Sequence, residues 1–169
     1  TGRALLHAHL RNKGLTRNVT VPVSAGLLSD IDAYFRALTA YREGDPVPIV
    51  EQLASASFAA IDNGRRLVSD LQAARAAWTE RLQLRRHAAT WRVVDVLFRH
   101  PVVNARLVAQ ELGIAGSNAY RVLKPLVDAE VIVEFTDKKR NQLWRAPDVL
   151  AALDAFAVRA GRRNRASRR

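Results

Sequence analysis

Four residues, Gly113-Ile114-Ala115-Gly116, separate two short segments of helical periodicity, and no other break constrains the fold as much. Before it, Asn104 is a good N-cap for a helix reaching Leu112, with Leu107, Val108 and Leu112 apolar. After it, Ser117 is placed to cap a further helix. Two short helices joined by a glycine-containing turn of three to four residues predict a helix-turn-helix. Residues 88–99 form another helical pattern with Val93, Val94, Leu97 and Phe98 apolar, ended by Pro101. Residues 131–135 and 142–145 are β-rich and enclose the polar tip 136–141, a hairpin pattern. Together these elements predict a winged helix over residues 87–158.

Two positions strain that pattern. Pro125 falls inside the third helix, where it removes the hydrogen bond to the Arg121 carbonyl and crowds the preceding turn. A kink there re-aims Arg121 and Lys124. Glu130 stands where a glycine is expected to end the helix in a left-handed conformation, so a different helix ending is expected.

The first half is helical in pattern. Residues 2–13 read as a helix closed by Gly14, and 19–23 as a short extended stretch in which Pro22 argues against a central strand. Ser29 is the expected N-cap of a helix to about Glu43 that buries Ile31, Phe35 and Leu38, ended by Gly44-Asp45-Pro46. Residues 47–86 are helical throughout, roughly 60 Å if unbroken at Gly64. Leu67, Leu71, Ala74, Trp78 and Leu82 make one apolar stripe along it, expected to face a domain core. Dimerisation along the stripe is the alternative.

Thr1-Gly2-Arg3 runs into Ala4-Leu5-Leu6-His7-Ala8-His9-Leu10 and then Gly14-Leu15-Thr16-Arg17-Asn18-Val19. This run resembles the segment that follows the active-site loop, His-x-Phe-x-Asp/Glu-Gly-Asn-Gly-Arg-x-x-Arg, in Fic-family proteins. Residues 21–28, 41–45 and 63–68 also resemble later helices of that family's core, and many members carry a C-terminal winged helix. The resemblance implies residues 1–86 as the last helices of a Fic-type core and 87–158 as the winged helix, while the acid-free run 159–169 reads by its charge as a disordered basic tail. It implies a parent that transfers AMP from ATP, with Mg²⁺, to a hydroxyl of a protein target. Gly2 and Arg3 would be what remains of the phosphate-binding loop. The catalytic histidine is absent from this chain, which is therefore expected to be inactive and to hold no cofactor. Thr1 in place of Met fits a chain that is part of a longer protein.

Smaller motifs add little. Asn63-Gly64-Arg65 mimics the end of the active-site loop but lies in the long helical pattern, so a structural role is expected. The segment from Thr39 to Gly44 resembles the family's inhibitory helices and also reads as an ordinary helix end. His7, His9, His87 and His100 have no companions at metal-site spacing.

With 49% hydrophobic residues a packed core is expected, and no apolar run is long enough to span a bilayer. The absence of cysteine fits a cytoplasmic protein. The net charge of +11 is uneven: residues 87–158 carry 9 basic and 8 acidic groups, whereas 159–169 carry 6 arginines and no acid. Such a tail attracts polyanions without sequence preference. In the winged helix, Ser117, Asn118, Tyr120, Arg121 and Lys124 open the helix expected in the DNA major groove, with Asn118 suited to adenine and Arg121 to guanine. Lys138, Lys139, Arg140 and Asn141 at the hairpin tip would meet phosphates or the minor groove. Double-stranded DNA is thus the expected partner. The alternatives are a complete transcriptional regulator with dimerising N-terminal helices, or a docking or dimerisation module without nucleic acid.

Overall fold

The computed structural model describes residues 2–14, 23–27, 30–82, 88–136 and 142–160. It is mainly helical, with α1 (Gly2–Asn12), α2 (Val23–Leu27), α3 (Ile31–Arg42), α4 (Val47–Arg81), α5 (Ala89–Arg99), α6 (Ala105–Leu112), α7 (Gly116–Asp128) and α8 (Pro147–Arg159). Strands β1 (Val102–Asn104), β2 (Val133–Glu134) and β3 (Leu143–Arg145) form a small antiparallel sheet in the order β1-β3-β2. The residues group into two compact units, Thr1–Leu67 with Ala155–Arg169, and Val68–Asp154.

The first unit is built on small residues. Gly14, at φ +71, closes α1 as its position predicts. Residues 19–22 of the expected extended stretch lie outside the described residues, while Val23 opens α2. The N-cap of α3 is Asp30, whose carboxylate accepts from the Ala33 amide at 2.8 Å; the expected cap, Ser29, lies outside the described residues. Phe35 does not bury as expected but is 57% exposed, and Ala37 takes the inner position. The reason is which helical face turns inward. Ala33, Ala37 and Ala40 line a groove opposite Pro48, Gln52 and Ser55 of α4, leaving Phe35 on the outer side. Gly26 explains the close fit of α2: a β-carbon there would lie 1.8 Å from the Ala56 carbonyl oxygen. Helix α4 passes through Gly64 without interruption for 35 residues, about 50 Å.

The second unit holds the larger core. Trp78, Leu97, Leu123, Leu126, Ile132, Val93, Val94, Val103, Val108 and Val149 are all under 2% exposed. The stripe on α4 does not wait for an absent partner. Ala74, Trp78 and Leu82 join the core made by α5, α6, α7 and the sheet, and Leu71 packs against it. This unit therefore begins at Val68, before the expected start at residue 87. The Trp78 ring lies 5.2 Å from that of Phe98, and its Nε1 donates to Asp148 Oδ2 at 2.7 Å. Arg81 donates to the same oxygen at 2.9 Å. Thr90, the one buried hydroxyl among the described residues of this unit, donates to the Val122 carbonyl at 3.2 Å and so ties α5 to α7 with its polar group met.

Asn104 serves two elements. It is the last residue of β1, paired with Leu143, and its side chain caps α6 by accepting from the Leu107 amide at 2.8 Å. Gly113, at φ +67, ends α6, and a short turn leads into α7. The N-cap of α7 is Ala115, with no side-chain hydrogen bond, so Ser117 is already helical and does not cap it. Helix α7 continues to Asp128, past Pro125. Strand β2 is shorter than the β-rich run 131–135, because Val131 and Ile132 turn into the core instead of pairing.

The ending of α7 corrects the sequence expectation. Glu130 does adopt the left-handed conformation, φ +54. Its amide donates to the Val127 carbonyl at 3.0 Å, and Val131 donates to Leu126 at 2.8 Å. These two bonds form a Schellman motif, completed by the fully buried pair Leu126 and Val131. The packing holds a glutamate where glycine belongs, against a conformational cost of about 1–2 kcal/mol. Glu130→Gly relieves it and raises the thermal midpoint of this unit by several degrees, about 1 kcal/mol, in a calorimetric scan. An unchanged or lower midpoint would show that the left-handed residue carries no strain.

Candidate nucleic-acid interface

Helix α7 separates core from solvent by its periodicity. Ala119, Val122, Leu123 and Leu126 are buried on one side. Opposite them, Ser117, Arg121, Lys124 and Asp128 follow one another at spacings of four, three and four, all exposed. Asn118 and Tyr120, also exposed, flank this row on either side. The five α7 residues expected to contact DNA are therefore brought to one solvent-facing surface. Tyr120 has a structural role as well, its ring meeting Trp144 of β3 edge-on at 5.9 Å. Lys138, Lys139, Arg140 and Asn141 lie outside the described residues.

Charge on this surface is decided by which cations are free. Lys124 is held by Asp128, 2.9 Å from both carboxylate oxygens, an exposed pair one helical turn apart. Arg75 pairs with Asp95, Arg81 with Asp148 and Arg99 with Glu111, while Arg92 donates to the Leu112 carbonyl at 3.0 Å. Among the described residues of this unit, Arg106, Arg121 and Arg145 have no such partner. Arg121 thus supplies the uncompensated positive charge of the α7 face. The sequence reading does not single out Arg106 or Arg145. Arg145 was legible, since it alternates with the buried Trp144 along β3 and must point to the other face of the sheet.

The second candidate site is the start of α1. Helix α1 carries Gly2 and Arg3 in its first turn. The Arg3 side chain is not among those described. Residues 1–29 contain no Asp or Glu, so this segment offers no carboxylate for Mg²⁺. Among the described residues no group of His, Cys, Asp or Glu could hold a metal ion. Nor is any helix among them long and apolar enough to cross a membrane.

No protein-family model matches this chain, and no curated protein matches it.

The motif-like residues in the first unit have structural partners. Asn63 is buried; its Nδ2 donates to the Phe156 carbonyl at 3.2 Å and its Oδ1 accepts from Arg159 Nε at 2.6 Å. Asn63 therefore fastens the end of α8. Arg159, counted in the basic tail by charge alone, is the last residue of α8. Glu43 is the C-cap of α3, followed by Gly44 at φ +100, an ordinary helix end.

Proposed function

We propose that Val68–Asp154 is a winged-helix module that binds double-stranded DNA through α7. The observation that carries this reading is the α7 face, where Ser117, Arg121 and Lys124 align opposite the core and Arg121 is unpaired among the described residues. A short helix, a tight turn and a second helix braced by a three-stranded sheet suit a recognition helix laid in the major groove. Arg121 would take guanine O6 and N7, Asn118 an adenine edge, and the 138–141 tip the backbone or minor groove. The basic tail adds sequence-independent attraction, and the lack of cysteine favours a cytoplasmic setting.

The test is a duplex titration at several salt concentrations, with the full chain and with one ending at residue 160. Binding that persists without the tail and discriminates between sequences supports the reading. Loss of all binding with the tail overturns it in favour of a docking module.

Asp128→Asn gives a sharper prediction. It releases Lys124 to a phosphate, so duplex affinity rises and the slope of log K against log salt steepens by about 1. The cost to the fold is small. The pair is worth about 0.3–0.5 kcal/mol, and an acid at a helix C-terminus opposes the dipole in any case. An unchanged slope would place Lys124 away from DNA.

A second proposal concerns the parent. We infer from the resemblance at Thr1–Val19 that the chain is part of a Fic-type protein that transfers AMP from ATP to a protein hydroxyl. The helical state of Gly2–Asn12 supports this, since in that family a helix follows the loop. A longer protein containing the loop should label a protein target from ATP carrying a tracer on the α-phosphate, and this chain alone should not. Failure of the longer protein to transfer AMP would sink the proposal.

A further inference from the structure

The outer side of α4 within the first unit carries an apolar stripe that stays exposed among the described residues. Val47, Val50, Ala54 and Phe58 are exposed, Phe58 by 69% and Val50 by 62%, and Ile61 continues the line half-buried. Their spacings of three, four, four and three keep them on one side of the helix. Ala56, Ala60 and Asn63 are buried on the opposite side, so the stripe is no part of the packing among this unit's described residues. A phenylalanine and two valines in line facing water are costly unless covered.

We propose that this stripe is the interface for a second copy of the chain, with the two α4 helices antiparallel and crossing at Ala54. The stripe is self-complementary in that register alone. About a twofold axis at Ala54, Val47 of one copy meets Ile61 of the other and Val50 meets Phe58, while the small Ala54 side chains allow close approach. Charge favours the same arrangement. Exposed Glu43 and Asp45 precede α4, and exposed Arg65 and Arg66 lie two turns beyond Phe58. The antiparallel register sets the acidic end of each helix beside the basic end of its partner. A parallel pair would set Arg65 and Arg66 against their own copies. Arg65 makes only a long contact to Asp62, 3.8 Å and fully on the surface, which leaves it available. A stripe of this size buries a few hundred Å² per copy, so the dimer belongs to the weak class, with a dissociation constant of micromolar order.

The natural absence of cysteine permits a direct test in the full chain. Under mild oxidation Ala54→Cys should form a disulfide-linked dimer, because the axis brings the two sulfurs together. Val47→Cys alone should not, as its own copy is about 20 Å away along the helix axes. Val47→Cys mixed with Ile61→Cys should. In sedimentation equilibrium Phe58→Glu should raise the dimer dissociation constant at least tenfold with an unchanged circular dichroism spectrum, the side chain being exposed. A chain that stays monomeric at about 100 micromolar, well above the dissociation constant expected for such an interface, overturns the proposal. So does self-crosslinking of Val47→Cys equal to that of Ala54→Cys, or capture of the stripe by a segment of a longer protein in preference to a second copy.

Discussion

Trp78→Ala should destabilise the Val68–Asp154 unit by about 3–5 kcal/mol, much of what holds a domain of this size together. The indole is fully buried in the core cluster, with the Phe98 ring of α5 beside it, so its removal leaves a cavity that the surrounding helices cannot fill. Asp148 keeps Arg81 as a donor when the indole N–H is lost, so the damage comes from packing rather than from an orphaned carboxylate. Trp78→Phe separates the two contributions. It retains most of the ring volume and forfeits the Nε1 hydrogen bond, at about 1 kcal/mol plus a smaller cavity. Urea unfolding followed by circular dichroism should place the alanine variant far below the phenylalanine variant. If the two unfold at the same midpoint, the stripe is not a core element.

Arg121→Ala should weaken binding to a preferred duplex by about 1–3 kcal/mol, roughly 5- to 150-fold, and flatten discrimination at one base pair. The side chain is exposed and without a partner among the described residues, so stability should stay within about 0.5 kcal/mol of the parent. That combination distinguishes a reading residue from a structural one. Lys124→Ala should instead weaken all sequences alike, as loss of a phosphate contact does. Arg121→Ala binding like the parent, beside a variant lacking the tail that binds nothing, would move all the affinity to residues 161–169.

What could be read from the sequence was mostly local. The cap at Asn104 and the tight glycine turn after Leu112 depend on neighbours within one or two turns, and both are present. Pairings between distant segments were harder. Strand β1 is three residues after a proline and looks like a loop; only its partner β3, some forty positions later, makes it a strand. Helix α8, with Pro147 at its first position and Asp148 in its first turn, carries sound start signals in its sequence. The α4 stripe was visible as a stripe, but periodicity does not name what it packs on. Phe35 shows the limit of hydrophobicity as a guide. Where helices approach through small residues, alanine is buried and the large ring is left outside. At the candidate site, the row Ser117, Arg121, Lys124 could be read from spacing. That Asp128 ties up Lys124 and leaves Arg121 alone could not.

The three tryptophans, Trp78, Trp91 and Trp144, all fall within Val68–Asp154, and the other unit has none. Tryptophan emission, excited selectively so that Tyr34 and Tyr41 of the other unit stay dark, therefore belongs to one unit only, whereas far-ultraviolet dichroism sums the helices of both. If the units melt separately, the two signals will trace different curves from an unlabelled sample. If they melt as one, the curves will coincide, and the two helices that run on from one unit into the other, α4 and α8, will be mechanical links as well as covalent ones.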